Sequence, residues 1–246
     1  MNPALNLLLN HRSYRDFTNQ PVSDEDLDAI ITAAQRAPSS IHAQVSSLIV
    51  VRDPAKRAKI AEFAGNQEWV AKAPVFICVV ADFAKTQAAV EFAGEKQIIQ
   101  ESLEGFAVGA LDAGIVVTTI STAARALGLG TVMIGGIRNN LQGMIDLLGL
   151  PPLTFPFIGC CIGHFASEPP LKPRLPVKTF RHDEQWHGVP DKATITAYNT
   201  ELMDYWKSLG RTDGQSWTEN TARRYKVIYN PTTKPVAIKQ GFTVEK

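Results

Sequence analysis

The segment Ile98 to Leu127 constrains this chain more than any other. It carries the longest helical pattern, and its middle, Phe106 to Ile120, is almost wholly apolar. A helix that is apolar all round is buried in a core or an interface, or it crosses a membrane. The apolar middle is shorter than the roughly 20 residues a bilayer span needs, and it contains Asp112. Gly105, Gly109 and Ala113 recur at every fourth position, which would let another helix approach closely. The segment therefore reads as a central helix buried against both a sheet and a second subunit.

The other elements follow from pattern. Val75 to Ala81 is continuously apolar between Pro74 and Asp82, as a strand covered on both faces would be. Leu48 to Val51, Thr131 to Ile134 and Phe157 to Ile162 are further strand candidates. Ser23 caps a helix with Asp24, Glu25 and Asp26 in its first turn and Leu27, Ile30, Ile31 and Ala34 as its stripe, stopped by Pro38. Asn2 to Asn10, Pro54 to Phe63, Leu141 to Leu148 and Asp191 to Leu209 also read as helices. Arg12 to Pro21 is polar and irregular, Ala166 to Pro190 is an extended proline-rich arm, and Ala222 to Lys246 is basic and extended. Helices and strands mix without strict βαβ alternation, so the class is α+β.

Composition narrows the function. The 246 residues fit one large domain or a domain with an appendage. A net charge of +1 gives no global field toward nucleic acid or membrane. The cations Arg223, Arg224, Lys226, Lys234, Lys239 and Lys246 are spread out without aromatic spacing for base stacking. The start Met1-Asn2-Pro3-Ala4 lacks the basic and apolar regions of a secretory signal. Cys78, Cys160 and Cys161 are odd in number and sit in apolar runs, which points to free thiols in a reducing, cytoplasmic compartment. On a strand, Cys160 and Cys161 would face opposite ways.

The usual catalytic signatures are missing. No GxxxxGK[ST] loop, CxxC pair or GxSxG elbow occurs, and the histidines lack HExxH spacing, so no metal site is expected. Gly128-Leu129-Gly130 begins like a dinucleotide fingerprint, but Met133 replaces the third glycine and the unit precedes a strand.

Three segments stand out. His11-Arg12-Ser13-Tyr14-Arg15 packs donors suited to a phosphate into five residues, or forms a solvated basic loop. Leu171-Lys172-Pro173-Arg174-Leu175-Pro176 displays two cations on a stiff backbone, or is a rigid linker. Ile134-Gly135-Gly136, before Arg138-Asn139-Asn140, lets a flat ligand approach the backbone, or is a plain turn.

Together with APSSIHAQ (Ala37 to Gln44), GNQ (Gly65 to Gln67), LGLGTVMIGGIRNN (Leu127 to Asn140) and GLPPLTFPFIGCCIGH (Gly149 to His164), these segments resemble the nitroreductase superfamily. The similarity is greatest to its group A oxygen-insensitive nitroreductases and their flavin reductase relatives. It implies an α+β, FMN-binding fold with a central, mostly antiparallel sheet flanked by helices, built as an intertwined homodimer with FMN at the subunit interface. Residues 1–180 would form the core and 181–246 an extension wrapping the core or the partner.

The resemblance also implies roles. His11, Arg12 and Ser13 would hold the phosphate and ribityl end, with Lys172 and Arg174 clamping the phosphate. Arg15 would face the flavin pyrimidine edge and stabilise negative charge near N1. Ser39, Ser40 and Gln67 would bond ribityl and ring polar atoms, and Ile134, Gly135 and Gly136 would present backbone N–H near N5. No side chain would be catalytic, because the cofactor carries the reactive atom. NADPH or NADH would donate electrons in a ping-pong cycle, and small molecules such as nitroaromatics or quinones would accept them. The acceptor pocket would include His42 and Arg211. Asp213, close to Arg211, would repel a 2′-phosphate and makes NADH plausible as donor. Supply of free reduced flavin, or flavin binding without catalysis, are the alternatives.

Overall fold

The computed structural model describes residues 2–245, so Met1 and Lys246 lie outside the described residues. In chain order the elements are α1 (Pro3–Leu9), α2 (Asp24–Gln35), β1 (Ser46–Val51), α3 (Pro54–Phe63), α4 (Glu68–Lys72), β2 (Val75–Asp82), α5 (Phe83–Phe92), α6 (Leu103–Ala126), β3 (Gly130–Ile134), α7 (Leu141–Leu148), β4 (Thr154–Gly163), α8 (Lys192–Ser208), α9 (Trp217–Tyr225) and α10 (Thr233–Lys239). Short 3₁₀ turns occupy Ser40–His42, Ile99–Glu101, Gly135–Asn140 and Val177–Thr179. The chain divides into two compact units: one runs up to Pro169 and resumes at Thr232, the other is Pro170–Pro231.

In the first unit the strands form one antiparallel sheet in the order β1-β2-β4-β3. The central strands β2 and β4 are covered on both faces, which is why both read as apolar runs. The pleat sends alternate residues to different cores. Phe76, Cys78, Val80 and Cys161 join Ile60 of α3 and Met144 of α7 on one face. Ile77, Val79 and Cys160 join Ile30 of α2 and Val117 and Ile120 of α6 on the other. Burial of each large side chain contributes about 1.5–3 kcal/mol. Cys160 and Cys161 thus face opposite cores as expected, and all three cysteines are free.

The central helix is α6, entered through a 3₁₀ turn and capped by Ser102, whose Oγ accepts the Gly105 amide at 3.1 Å. Its 24 residues are long and apolar enough to cross a bilayer by length and composition, a wider span than the apolar middle taken alone. Ala113, Val117, Ile120 and Ala124 are nevertheless buried in the core. The small-residue positions admit close neighbours, among them helix α2, whose Leu27, Ile30 and Ala34 share the core cluster of Ala113. A Cβ on Gly109 would lie 3.0 Å from Ala81 Cβ and 3.2 Å from Phe83, while one on Gly105 would strike the Ile99 carbonyl. At Gly109 the neighbours come from β2, β4 and the start of α5, and at Gly105 from the preceding turn. Leu103 and Leu111 remain exposed on α6.

The extended reading of Ala222 to Lys246 is corrected. Residues up to Tyr225 finish α9, and Thr233–Lys239 form α10. A capping box, Ser216 with Glu219, fixes α9 although no α9 residue is buried. Pro235 sits in the first turn of α10, where proline is tolerated. Ala237 is buried, and the fully buried Phe242 meets Phe83 edge-on at 5.4 Å. In the second unit α8 and α9 pack together, with Asn199 Nδ2 donating to Thr218 Oγ1 at 2.9 Å.

Candidate functional site

The cationic loop begins where α1 ends. The Asn10 carbonyl accepts Arg12 Nη1 at 3.0 Å and Arg125 Nη2, from the end of α6, at 2.7 Å. Arg12 Nη1 also lies 3.3 Å from Glu168 Oε1, the oxygen to which the Tyr14 hydroxyl donates at 3.2 Å. Burial first, and then the Glu168 carboxylate, push the Tyr14 phenol above its ordinary pKa. Arg12 Nε is buried without a protein partner. Arg12, Tyr14, Arg125 and Glu168 line a cavity of about 210 Å³. The Tyr14 amide donates to Thr131 O at 2.9 Å, which fixes this loop beside the start of β3.

The other end of β3 carries the glycines. From Thr131 to Gly135 an extended strand covers roughly 13 Å. Gly136 then turns under Gln67: a Cβ there would lie 2.5 Å from Gln67 Nε2 and 2.7 Å from Ala64 O. Gln67 Nε2 donates to Ala64 O at 2.8 Å, and Gln67 stands just before α4, which holds Trp69. The Arg15 guanidinium lies over that ring, 5.3 Å from its centroid, and its Nη1 donates to Ser13 O at 3.3 Å. Trp69 Nε1 is buried without a protein partner. The structure thus pairs Arg15 with Trp69 and Gly136 with Gln67, and Ile134 is buried. Gly135 adjoins Arg138, whose Nη1 donates to Phe157 O at 2.8 Å. His11 starts the loop with its amide on Leu8 O at 3.3 Å.

Ser39, Ser40 and His42 sit elsewhere. The Ser40 amide donates to both carboxylate oxygens of Asp112, each at 3.3 Å. Asp112 and Arg125 lie more than three turns apart on α6, roughly 20 Å along the axis. Within one chain, the segment tied to Asp112 is therefore not brought to the Arg12 loop tied to Arg125. Ser40 and His42 line an apolar cavity of about 790 Å³ with Ile41, Phe83, Ile98 and Val108. Ser39 lines a neighbouring one of about 480 Å³ with Ser46 and Lys85.

In the second unit Lys172, Arg174 and Arg211 share a cavity of about 590 Å³ with Arg223, Trp206 and Trp217. Lys172 Nζ and the Arg211 guanidinium both lie over Trp206, 4.7 and 4.6 Å from its centroid. Arg211 binds Asp213 through Nε at 3.0 Å and Nη2 at 2.8 Å. That hydrogen bonding raises the pKa of Arg211 and lowers that of Asp213.

Sequence reasoning missed Trp69, Trp206 and Glu168 as partners of these cations, and met Asp112 only as an obstacle to a membrane span. Trp69 stands two residues beyond Gln67 of the GNQ segment, which was the available signal. Nothing local marks Glu168 or Trp206, whose contacts depend on the fold. Among the described residues no cluster suited to a metal ion occurs.

The family model described as Nitroreductase family matches residues 8–164, and that for the C-terminal domain of the same family matches residues 172–245. FMN reductase [NAD(P)H] of Bacillus subtilis is 42% identical over 251 residues, covering 100% of both chains. Oxygen-insensitive NADPH nitroreductase of Salmonella typhimurium is 35% identical, covering 98% of this chain and 99% of that one. The solved structure of NfrA2 from B. megaterium superposes with a TM-score of 0.97 at 40% identity, covering 100% of each chain.

Proposed function

We propose, from the premise that the chain belongs to the nitroreductase family, that it is an FMN-dependent oxidoreductase passing electrons from NAD(P)H to small acceptors such as nitroaromatics and quinones. One observation carries the assignment: Gly136, at the end of β3, packs against Gln67, the residue before α4, whose Trp69 lies under the Arg15 guanidinium, and Arg12 lines the cavity beside the start of β3. This spacing suits an elongated ligand with an anionic end and a flat, polar ring. The unpartnered Arg12 Nε and Trp69 Nε1, and the space a Cβ on Gly136 would fill, fit such a group.

When bound, FMN supplies the two-electron chemistry of hydride uptake and release. In our reading His11, Arg12 and Ser13, with Lys172 and Arg174, hold its phosphate and ribityl chain. Arg15 offsets negative charge on the ring, Gln67 bonds ring polar atoms, and Ile134, Gly135 and Gly136 orient the ring through the backbone. Ser39 and Ser40 complete the ribityl and ring contacts, and His42 and Arg211 belong to the substrate pocket. We read residues 1–180 as the core and 181–246 as an extension whose last stretch, from Thr232, packs back into the first unit. The three buried thiols accord with a cytoplasmic enzyme.

The test is anaerobic stopped-flow absorbance of the flavin-loaded protein with NADH and NADPH separately. Bleaching by one of them is expected, and a protein that takes up FMN but bleaches with neither would retire the enzyme reading. NADH is expected to serve at least as well as NADPH, because Asp213 already engages Arg211. Turnover of free FMN against nitrofurans or quinones separates flavin supply from acceptor reduction.

We read the protein as a homodimer. Leu103 and Leu111 leave α6 with exposed apolar surface, and the roughly 20 Å between Asp112 and Arg125 suits Ser39, Ser40 and His42 completing the site of a second copy. Sedimentation analysis should find a dimer, and a stable, FMN-replete monomer would count decisively against this arrangement.

A further inference from the structure

Asp112 is the single ionisable side chain in the apolar stretch Phe106 to Ile120, and it is 2% exposed. A buried carboxylate is costly without hydrogen bonds, and the donor it meets is the Ser40 amide, shared by both oxygens. That amide opens a segment of unusual backbone. Ile41, His42 and Gln44 have φ of 46°, 60° and 54°, a region L side chains rarely adopt and β-branched ones least of all. Such a shape persists only where its surroundings over-determine it. Three further ties do so here. Ser39 Oγ accepts the Gln44 amide at 3.0 Å, and Lys85 Nζ donates to Gln44 O at 2.9 Å and to Ser46 O at 2.8 Å.

The segment Ser40 to Val45 walls the cavity of about 790 Å³, whose other lining includes Phe83, Val90, Ile98 and Val108. Its two charged lining residues, Lys96 and Glu104, have opposite signs. The remaining surface is mostly apolar, with Ser40, His42, Gln44, Thr86 and Gln97 adding uncharged polar groups, and such a cavity takes a flat, uncharged organic molecule with polar substituents.

We propose that Asp112 is a positioning residue for electron-acceptor recognition. Through the Ser40 amide it holds the segment Ser39–Gln44, left-handed at Ile41, His42 and Gln44, in the shape that walls this cavity, and the cavity takes an uncharged aromatic or quinonoid acceptor. The proposal rests on the oxidoreductase reading above.

Two variants of the holoenzyme test it, Asp112→Ala and Asp112→Asn. The alanine variant should raise KM for a neutral nitroarene or quinone about tenfold or more, and, because Ser39 and Ser40 also contact the flavin in the reading above, it should slow bleaching by NAD(P)H by a clearly smaller factor. The asparagine variant keeps an oxygen for the Ser40 amide and should restore KM to within about twofold. Equal losses in bleaching and acceptor turnover, or an asparagine variant no better than alanine, would overturn the proposal. Should the alanine variant not fold, amide hydrogen exchange on the wild type still decides: the Ser40 amide should exchange more slowly than that of Ile41, and exchange at the rate of an unprotected loop amide overturns the anchor. Wild-type protein that bleaches with neither nucleotide fails the oxidoreductase reading instead, and the exchange rate of the Ser40 amide then tests the anchor independently.

Discussion

Arg15→Ala is expected to weaken FMN binding roughly 10- to 150-fold, the equivalent of the 1.5–3 kcal/mol that a hydrogen bond to a charged group contributes. The rate of flavin bleaching by the nucleotide should fall as well, because the substitution removes the positive charge that offsets negative charge on the ring. The side chain is held by its place over Trp69 and by the Ser13 carbonyl, so its guanidinium is presented in a defined position. Arg15→Lys keeps the charge but not the planar group over the indole, and should recover only part of the affinity. Fluorescence titration of the apoprotein with FMN and anaerobic stopped flow read both quantities. An alanine variant with wild-type flavin content and bleaching rate would remove Arg15 from the site.

Gly136→Ala should do comparable damage by a different route. The added methyl would meet Ala64 O at 2.7 Å, a backbone atom that cannot swing aside, and Gln67 Nε2 at 2.5 Å. Overpacking of this kind costs about 1–3 kcal/mol, and displacing Gln67 should lower FMN affinity about tenfold or more. Gly135→Ala is the contrast, since its nearest neighbour is the flexible end of Arg138 at 3.3 Å. Thermal unfolding of the two apoproteins should find position 136 much the more sensitive. Equal melting temperatures would show that Gln67 and the 3₁₀ turn yield without cost.

The same contrast between local and distant causes explains how much was legible in the sequence. The Ser23 cap, the apolar run of β2 and the bounds of α3 and α7 are local properties, and the structure keeps them. Helices α4 and α5 left no stripe to read, because each buries one side chain, Val70 and Phe83. In Ala222 to Lys246 the end of α9 and the whole of α10 read as extended chain, although Ser216-Trp217-Thr218-Glu219 spells a capping box for α9. At the site, the residues of His11 to Arg15 are contiguous, so their chemistry could be read directly. Trp69, Glu168 and Trp206 acquire their parts from neighbours that only the fold supplies.

The pleat that sends Cys160 and Cys161 into separate cores has a chemical consequence. Burial pushes the thiols of Cys78 and Cys160 up to about 12, and holds that of Cys161 well above its ordinary range. At neutral pH a thiol with such a value is ionised in only about one molecule in 10⁵. Quinones alkylate thiolates, and an enzyme that handles them repeatedly works among electrophiles. With every thiol packed away and protonated, the protein offers those electrophiles almost no nucleophilic sulfur, and its own chemistry should leave its cysteines untouched.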